Sequence, residues 1–225
     1  MGGVNMTQKE LNKQLVSASQ EDNTDRIKEL FKAGANLNAY DKYGITALMY
    51  AAESNYIKTV RTLISLGADV NFRNSKNTQT ALMQAAWDNH IKITKLLLDH
   101  DADPNTRDKY GRTALIYACN AGHTETARLL LGYGADPNIR DKNGGTALIR
   151  ASINGHIEVI KLLVDSYADI GTKNEKGLTA LDILKTHYPE QYKKLLQNKI
   201  KETRKRILKK EDSTENLKNV PDYDI

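Results

Sequence analysis

Apolar residues in this chain come in short bursts separated by polar turns. Between residues 113 and 136 the burst Ala114-Leu115-Ile116-Tyr117-Ala118-Cys119 precedes a second set, Ala127, Leu130 and Leu131, at helical spacing. Thr113 is placed to cap a first helix over Ala114–Asn120. Ala121-Gly122-His123 breaks it, and Thr124 is read as the cap of a second helix over about Glu125–Gly132. Gly134 suits a left-handed helix end. Asp136-Pro137-Asn138 and Asp141-Lys142-Asn143-Gly144 carry turn chemistry and predict a projecting hairpin. Neither helix is long enough to be stable alone, so each must bury its apolar face on a neighbouring unit.

That unit recurs. Thr-Ala-Leu stands at Thr46, Thr80, Thr113, Thr146 and Thr179, at spacings of 34, 33, 33 and 33. A second marker keeps phase with it at Gly34-Ala35-Asn36, Gly67-Ala68-Asp69, Asp101-Ala102-Asp103, Gly134-Ala135-Asp136 and Tyr167-Ala168-Asp169. Both place one inserted residue near Asn74–Thr78, in a connector that lacks the glycine found at Gly44, Gly111, Gly144 and Gly177.

On these residues the chain resembles the ankyrin repeat family, whose unit is about 33 residues with a turn and two helices. The matching motifs are Asp108-Lys109-Tyr110-Gly111-Arg112-Thr113-Ala114-Leu115, Ala121-Gly122-His123, Leu129-Leu130-Leu131 and Gly134-Ala135-Asp136-Pro137-Asn138. The resemblance implies an all-α solenoid of stacked helix-loop-helix units joined by β-hairpin connectors. It covers repeats at about 6–39, 40–72, 73–106, 107–139, 140–172 and 173–197, a domain over 1–197. The family's Pro after Thr is Ala in every copy, and its His is replaced by Met49, Met83, Ile116, Ile149 and Asp182. Without that histidine's hydrogen bonds, lower rigidity between repeats is expected. Asp101 and Tyr167 replace the left-handed glycine; Tyr167 is the costlier, so the fifth-to-sixth connection is expected to be irregular.

Composition narrows the rest. The chain has 225 residues, 40% hydrophobic and 27% charged, enough to build a core and stay soluble. No stretch of about 18 apolar residues spans a bilayer, and Met1–Glu10 shows no secretion signal. The single cysteine, Cys119, allows neither an intramolecular disulfide nor a cysteine-built zinc site and fits a reducing, cytoplasmic setting. Residues 193–210 hold nine Lys/Arg and one Glu (net +8), residues 211–225 five acids and one Lys (net −4), so the total of +5 leaves +1 for the repeats. A basic helical extension at 198–210 and an acidic, disordered tail at 211–225 are expected.

Candidate chemistry reduces to scaffold. His90, His123 and His156 recur in register, but equivalent atoms on helices about 8–10 Å apart cannot share a metal; they are read as bridges between helix and loop backbone. Asp99-His100-Asp101-Ala102-Asp103 alternates acids like a calcium loop, yet Pro104 and Tyr110 stand where that loop needs Gly and Glu. Asp41, Asp108 and Asp141 recur as turn formers. Cys119 occupies the small buried position of Ala52, Ala86 and Ser152. No nucleotide loop or hydrolase elbow is present. The expectation is a non-catalytic monomer with no metal, cofactor or small-molecule substrate.

Recognition is then expected on positions that vary between repeats. The resemblance implies that connector tips and first-helix ends line a concave groove. The tips offer Lys42, Tyr43, Lys76, Gln79, Lys109, Tyr110, Arg112, Lys142 and Asn143; the helix ends offer Glu53, Trp87, Asp88, Asn120, Ile153 and Asn154. Trp87, the only tryptophan, falls in the middle repeat. Tyr50, Gln84, Tyr117 and Arg150 also vary, at positions expected to be half-buried. The alternative is nucleic-acid or anionic-membrane binding, or nuclear targeting, through Lys199, Lys201, Arg204, Lys205, Arg206, Lys209 and Lys210. A composition rich in Lys, Asn and Ile fits an AT-rich genome; by analogy with ankyrin-like proteins of that composition, action inside a host cell or nucleus is a further expectation.

Overall fold

The computed structural model describes residues 6–194, which form an all-α repeat solenoid. Its helices are α1 (Gln8–Gln20), α2 (Thr24–Lys32), α3 (Ala47–Glu53), α4 (Ile57–Ser65), α5 (Ala81–Trp87), α6 (Ile91–Leu98), α7 (Ala114–Ala121), α8 (Thr124–Gly132), α9 (Ala147–Ile153), α10 (Ile157–Asp165) and α11 (Ala180–His187). A further helix, α12, opens at Pro189, where a missing N–H costs nothing, and runs through residue 194. The basic extension and acidic tail lie outside the described residues.

The odd-numbered helices stack in one row, each on the next, and the even-numbered ones form a second row behind them. Alanines make the close inner stacking possible: Ala47, Ala51, Ala81, Ala85, Ala114, Ala118, Ala147 and Ala151 are all buried. Leu63, Leu97, Leu130 and Leu163 repeat in the outer row, each fully buried. Substantial packing joins only neighbours, as a solenoid requires.

The repeated threonines cap as predicted. The hydroxyls of Thr46, Thr80, Thr113 and Thr146 each accept the N–H three residues on at 3.3 Å, and Thr179 adds a reciprocal bond from its own N–H to Asp182. Thr124 is different: it is the first residue of α8, and the cap is His123, which makes no side-chain capping bond. Its imidazole reaches instead across to the preceding repeat.

The connectors correct the β-hairpin expectation. Among the described residues the one strand-like pairing is an isolated bridge between Tyr40 and Thr46. The loops close instead around a carboxylate. Asp108 Oδ1 accepts the N–H groups of Tyr110 and Arg112 at 2.8 Å each, and Asp41 and Asp141 do the same in their own turns. These acids are turn formers, as read.

The inserted residue widens the connector between the second and third repeats. Asn74 N–H meets the carbonyl of Gln79 at 2.9 Å, one residue further than the Asp108-to-Arg112 closure, and Thr78 takes a left-handed φ of 55°.

The fifth-to-sixth connection is not irregular. Tyr167 adopts a φ of 62°, and Ala168 N–H still reaches the Leu163 carbonyl at 3.0 Å, matching Ala135 to Leu130 at 3.0 Å. The Tyr167 side chain is 90% exposed, so it clashes with nothing and the backbone carries the left-handed cost without moving.

Candidate functional site: the concave face

Connector tips and the C-terminal ends of the odd-numbered helices share one face, the one expected to be concave, where they line the same cavities. Both are tied from repeat to repeat. The Nε2 atoms of His90, His123 and His156 lie 2.9, 2.9 and 3.1 Å from the carbonyls of Glu53, Trp87 and Asn120 in the preceding repeat. The histidines thus bridge backbone. Among the described residues no cluster of three His, Cys, Asp or Glu could hold a metal ion.

The tips are joined by backbone bonds: Lys109 N–H to Asn77 C=O, Lys142 N–H to Tyr110 C=O and Glu175 N–H to Asn143 C=O, at 2.9, 2.8 and 3.1 Å. Two side-chain ladders, not anticipated from sequence, run parallel. Asn38, Asn71, Asn105 and Asn138 each accept the N–H of the Asp that follows the Ala of the next repeat, at 2.7–2.9 Å. Arg73, Arg107 and Arg140 each donate to the carbonyl at the equivalent position one repeat on. These bonds link repeats where Met49, Met83, Ile116 and Ile149, in place of histidine, are buried and apolar.

Trp87, Tyr110, Arg112, Asn120, Lys142 and Asn143, six of the residues picked from sequence variation, surround one cavity of about 270 Å³. Ile116, Tyr117, Asp141 and Arg150 complete its lining. Trp87 is 44% exposed and sets its edge against Tyr117, centroids 5.6 Å apart at 87°. The Arg112 guanidinium lies 4.6 Å from the ring centroids of both Tyr110 and Tyr117. A second cavity, about 540 Å³, brings Asn143 and Ile153 together with Lys176, Leu178, Ile183 and His187, which variation alone did not single out.

The other predicted positions sit elsewhere on the same face. Lys42, Tyr43 and Lys76 form a group at the first tips, both ammonium groups 4.9 Å from the Tyr43 ring. Glu53, Asp88 and Asn154 are exposed at helix ends, and Asn154 Nδ2 donates to the Asn120 carbonyl at 3.0 Å. Gln79 is committed inward: it donates to the Tyr117 hydroxyl at 2.7 Å, which donates to Asp108 at 2.8 Å, and Arg112 closes an ion pair on the same carboxylate at 3.0 Å.

Tyr50, Gln84 and Arg150 are half-buried as expected, but Tyr117 is buried. Its hydroxyl is held by Asp108 as that of Tyr50 is by Asp41, but Trp87 and the Arg112 guanidinium also cover its ring and Gln79 caps its hydroxyl. Burial and the Asp108 bond push Tyr117 up to about 12, and the same two causes, with Asp41 as acceptor, raise Tyr50 to about 12. Burial also pushes Asp41 up, but bonds from Ile45, Tyr50 and Tyr43 and the charge of Lys76 outweigh it and hold the carboxyl below its usual range.

Groups with reactive potential are occupied or shielded. Cys119 is fully buried, and burial pushes its thiol well up, so it stays protonated. The acids of the calcium-like run act separately: Asp99 pairs with Lys95 at 2.8 Å and accepts from Tyr133, while Asp103 accepts from Asn105 and Thr106. Among the described residues no helix is long and apolar enough to cross a membrane.

Comparison with known proteins agrees with this architecture. A family model described as ankyrin repeats (3 copies) matches residues 3–74, 72–141 and 133–205. The chain is 41% identical over 70 residues to the ankyrin repeat and KH domain-containing protein mask-1 of Caenorhabditis elegans, covering 31% of this chain and 3% of that protein. It is 37% identical over 59 residues to a putative ankyrin repeat protein of Acanthamoeba polyphaga mimivirus, covering 26% of this chain and 8% of that protein. Over 69 residues it is 35% identical to the ankyrin repeat, SAM and basic leucine zipper domain-containing protein 1 of Oryctolagus cuniculus, covering 31% and 14%. The similarity thus spans a small part of each relative.

Proposed function

The chain belongs to the ankyrin repeat family, whose repeats generally serve protein–protein interaction, and from that premise we propose that it binds a protein partner along its concave face without catalysis. The observation that carries this reading is Trp87. A tryptophan at 44% exposure, at a helix end beside Tyr110 and Arg112, places the residue types that dominate interface energetics around one opening. Varying residues gather there, whereas repeating residues hold the stack. The shielding of Cys119 and the saturation of Asp108 and Asp141 by turn bonds support the absence of catalysis.

The test is affinity capture with the intact chain beside a Trp87→Ala/Tyr110→Ala variant. The variant is expected to lose the captured partner while keeping its helical circular dichroism. Undiminished capture by a folded variant would move the interface off this face.

A second reading rests on the net +8 of residues 193–210, a charge concentration suited to phosphate contacts. Titrating salt against binding to duplex DNA and to anionic vesicles tests it. A salt-steep affinity abolished by deleting residues 199–225 supports it, and salt-insensitive binding or none refutes it.

A further inference from the structure

The connector tips carry a row of cations. Lys42, Lys76, Lys109 and Lys142 stand at the equivalent position of four successive tips, all exposed, and among the described residues none of them joins an ion pair; the fifth tip carries exposed Glu175 there, with Lys176 beside it, and ends the row. The acids nearest them in sequence face inward. Asp41, Asp108 and Asp141 are spent on turn N–H groups and on Tyr50, Tyr117 and Arg150. Aromatic rings steady three of the lysines: Lys42 and Lys76 share Tyr43 at 4.9 Å each, and Lys109 lies 5.0 Å from the Tyr110 centroid. A ring attracts a cation without cancelling its charge, so these ammonium groups are positioned yet still available.

Their spacing is set by the backbone. Lys142 N–H bonds the carbonyl of Tyr110, the residue after Lys109, at 2.8 Å. Residues joined this way lie about 5 Å apart. One residue along the chain adds up to about 3.8 Å. Lys76, Lys109 and Lys142 therefore recur within about 9 Å, close to the packing distance of stacked helices, and Lys42 is kept beside Lys76 by the Tyr43 ring they share. A polyproline II peptide has three residues per turn at about 3.1 Å each, so every third side chain returns to one face after about 9 Å.

We propose that the partner docks an extended acidic peptide, with a carboxylate at every third residue, along the row from Lys42 to Lys142. The proposal rests on the concave face being the protein-binding surface and names what that surface selects. Nucleic acid is the competing polyanion, and the helix ends of the same face disfavour it. Glu53 and Asp88, exposed at the ends of α3 and α5, repel charge distributed around a strand. A peptide can keep its carboxylates on the side of the tips and neutral groups against those ends.

The experiment is fluorescence anisotropy on the full-length chain. The probe is a labelled peptide of five Glu-Pro-Ala units; the comparisons are a peptide of the same composition with its glutamates adjacent, and oligo-dT of equal charge. The periodic peptide is expected to bind most tightly. The Lys42→Gln/Lys109→Gln/Lys142→Gln variant is expected to weaken it about tenfold, the sum of three exposed charge contacts. The Arg204→Gln/Lys205→Gln/Arg206→Gln variant is expected to leave it unchanged, which separates the tips from the basic segment. Equal binding of the clustered peptide, tighter binding of oligo-dT, or a loss confined to the second variant would overturn the proposal. If the tip variant still captures a protein partner that Trp87→Ala/Tyr110→Ala loses, the concave-face reading stands and the acidic peptide does not.

Discussion

The imidazole of His123 holds the backbone carbonyl of Trp87 at 2.9 Å, so the helix that presents the tryptophan is fastened by the following repeat and not by the indole itself. Support and recognition are therefore separable at this position. Trp87→Ala keeps the bond from His123, because that bond ends on the main chain. It loses the edge contact with Tyr117, an aromatic pair worth about 0.5–1.5 kcal/mol. Partner affinity should fall further, by about 2 kcal/mol or more, as for a central aromatic anchor. Leu115→Ala should do the reverse: Leu115 is fully buried, and its truncation should cost about 2–5 kcal/mol of stability. Thermal melts and partner titrations on the two variants check this. A Trp87→Ala protein that melts several degrees lower yet binds normally would make the indole a core residue.

The strained turn at Tyr167 should be relieved by glycine. Its φ of 62° costs a non-glycine residue, and its side chain, 90% exposed, gives little packing in return. Tyr167→Gly restores the residue found at Gly34, Gly67 and Gly134. Glycine's larger unfolded-state entropy offsets part of the gain, leaving a stabilisation of about 0.5–1 kcal/mol. Urea unfolding followed by circular dichroism measures it. A lower midpoint for Tyr167→Gly would show that the ring makes a stabilising contact.

These two sites show what the sequence revealed. The 33-residue register, the threonine caps and the left-handed helix ends are local, carried by residues within a few positions of one another, and the structure keeps them. The effect of Tyr167 was overestimated because its exposure is invisible in a string of letters; the turn has room for any side chain. The inward commitment of Gln79 depends on Tyr117, 38 positions away, which no local rule connects. The asparagine ladder did have a signal, since Asn38, Asn71, Asn105 and Asn138 recur at the repeat spacing, but turn chemistry already accounted for them. The Asp108–Tyr117 and Asp141–Arg150 pairs, nine residues apart, were legible in the same way once turn acids are asked what their second oxygen does.

Alkaline pH should destabilise the stack through Tyr117 and Tyr50. Both phenols are raised to about 12, Tyr117 by burial and its bond to Asp108, Tyr50 by burial and its bond to Asp41. The folded chain therefore holds these protons more tightly than the unfolded chain, whose tyrosines titrate near 10. The sign follows from linkage: this contribution is complete below about pH 10 and disappears as pH rises through about 12. Urea midpoints for the parent and for Tyr50→Phe/Tyr117→Phe, measured from pH 8 to 12, should converge on the alkaline side as the parent loses its advantage. Parallel curves across that range would remove these two hydroxyls from the pH response.

The inserted residue breaks one rung of the tip ladder, and amide exchange should reveal it. Lys109, Lys142 and Glu175 each give their N–H to the carbonyl of the preceding tip. The corresponding rung is missing between the first two tips: among the described residues no backbone N–H reaches the Tyr43 carbonyl, and Lys76 N–H has no backbone acceptor. The cause is geometric. An extra residue between Asn74 and Gln79 lengthens the loop, and Thr78, a β-branched residue at φ 55°, carries the turn that glycine carries elsewhere. Hydrogen–deuterium exchange resolved by residue should find the amides of Lys109, Lys142 and Glu175 protected and that of Lys76 exchanging freely. Backbone order parameters on the picosecond–nanosecond scale should be lower over Ser75–Gln79 than over Lys109–Arg112. Thr78→Gly should stabilise the chain by roughly 0.5–1 kcal/mol without protecting Lys76, since it relieves the strain but leaves the extra residue in place. Equal protection at Lys76 and Lys109 in the parent chain would mean that the ladder runs unbroken along all the tips and that the insertion is absorbed without changing how they meet.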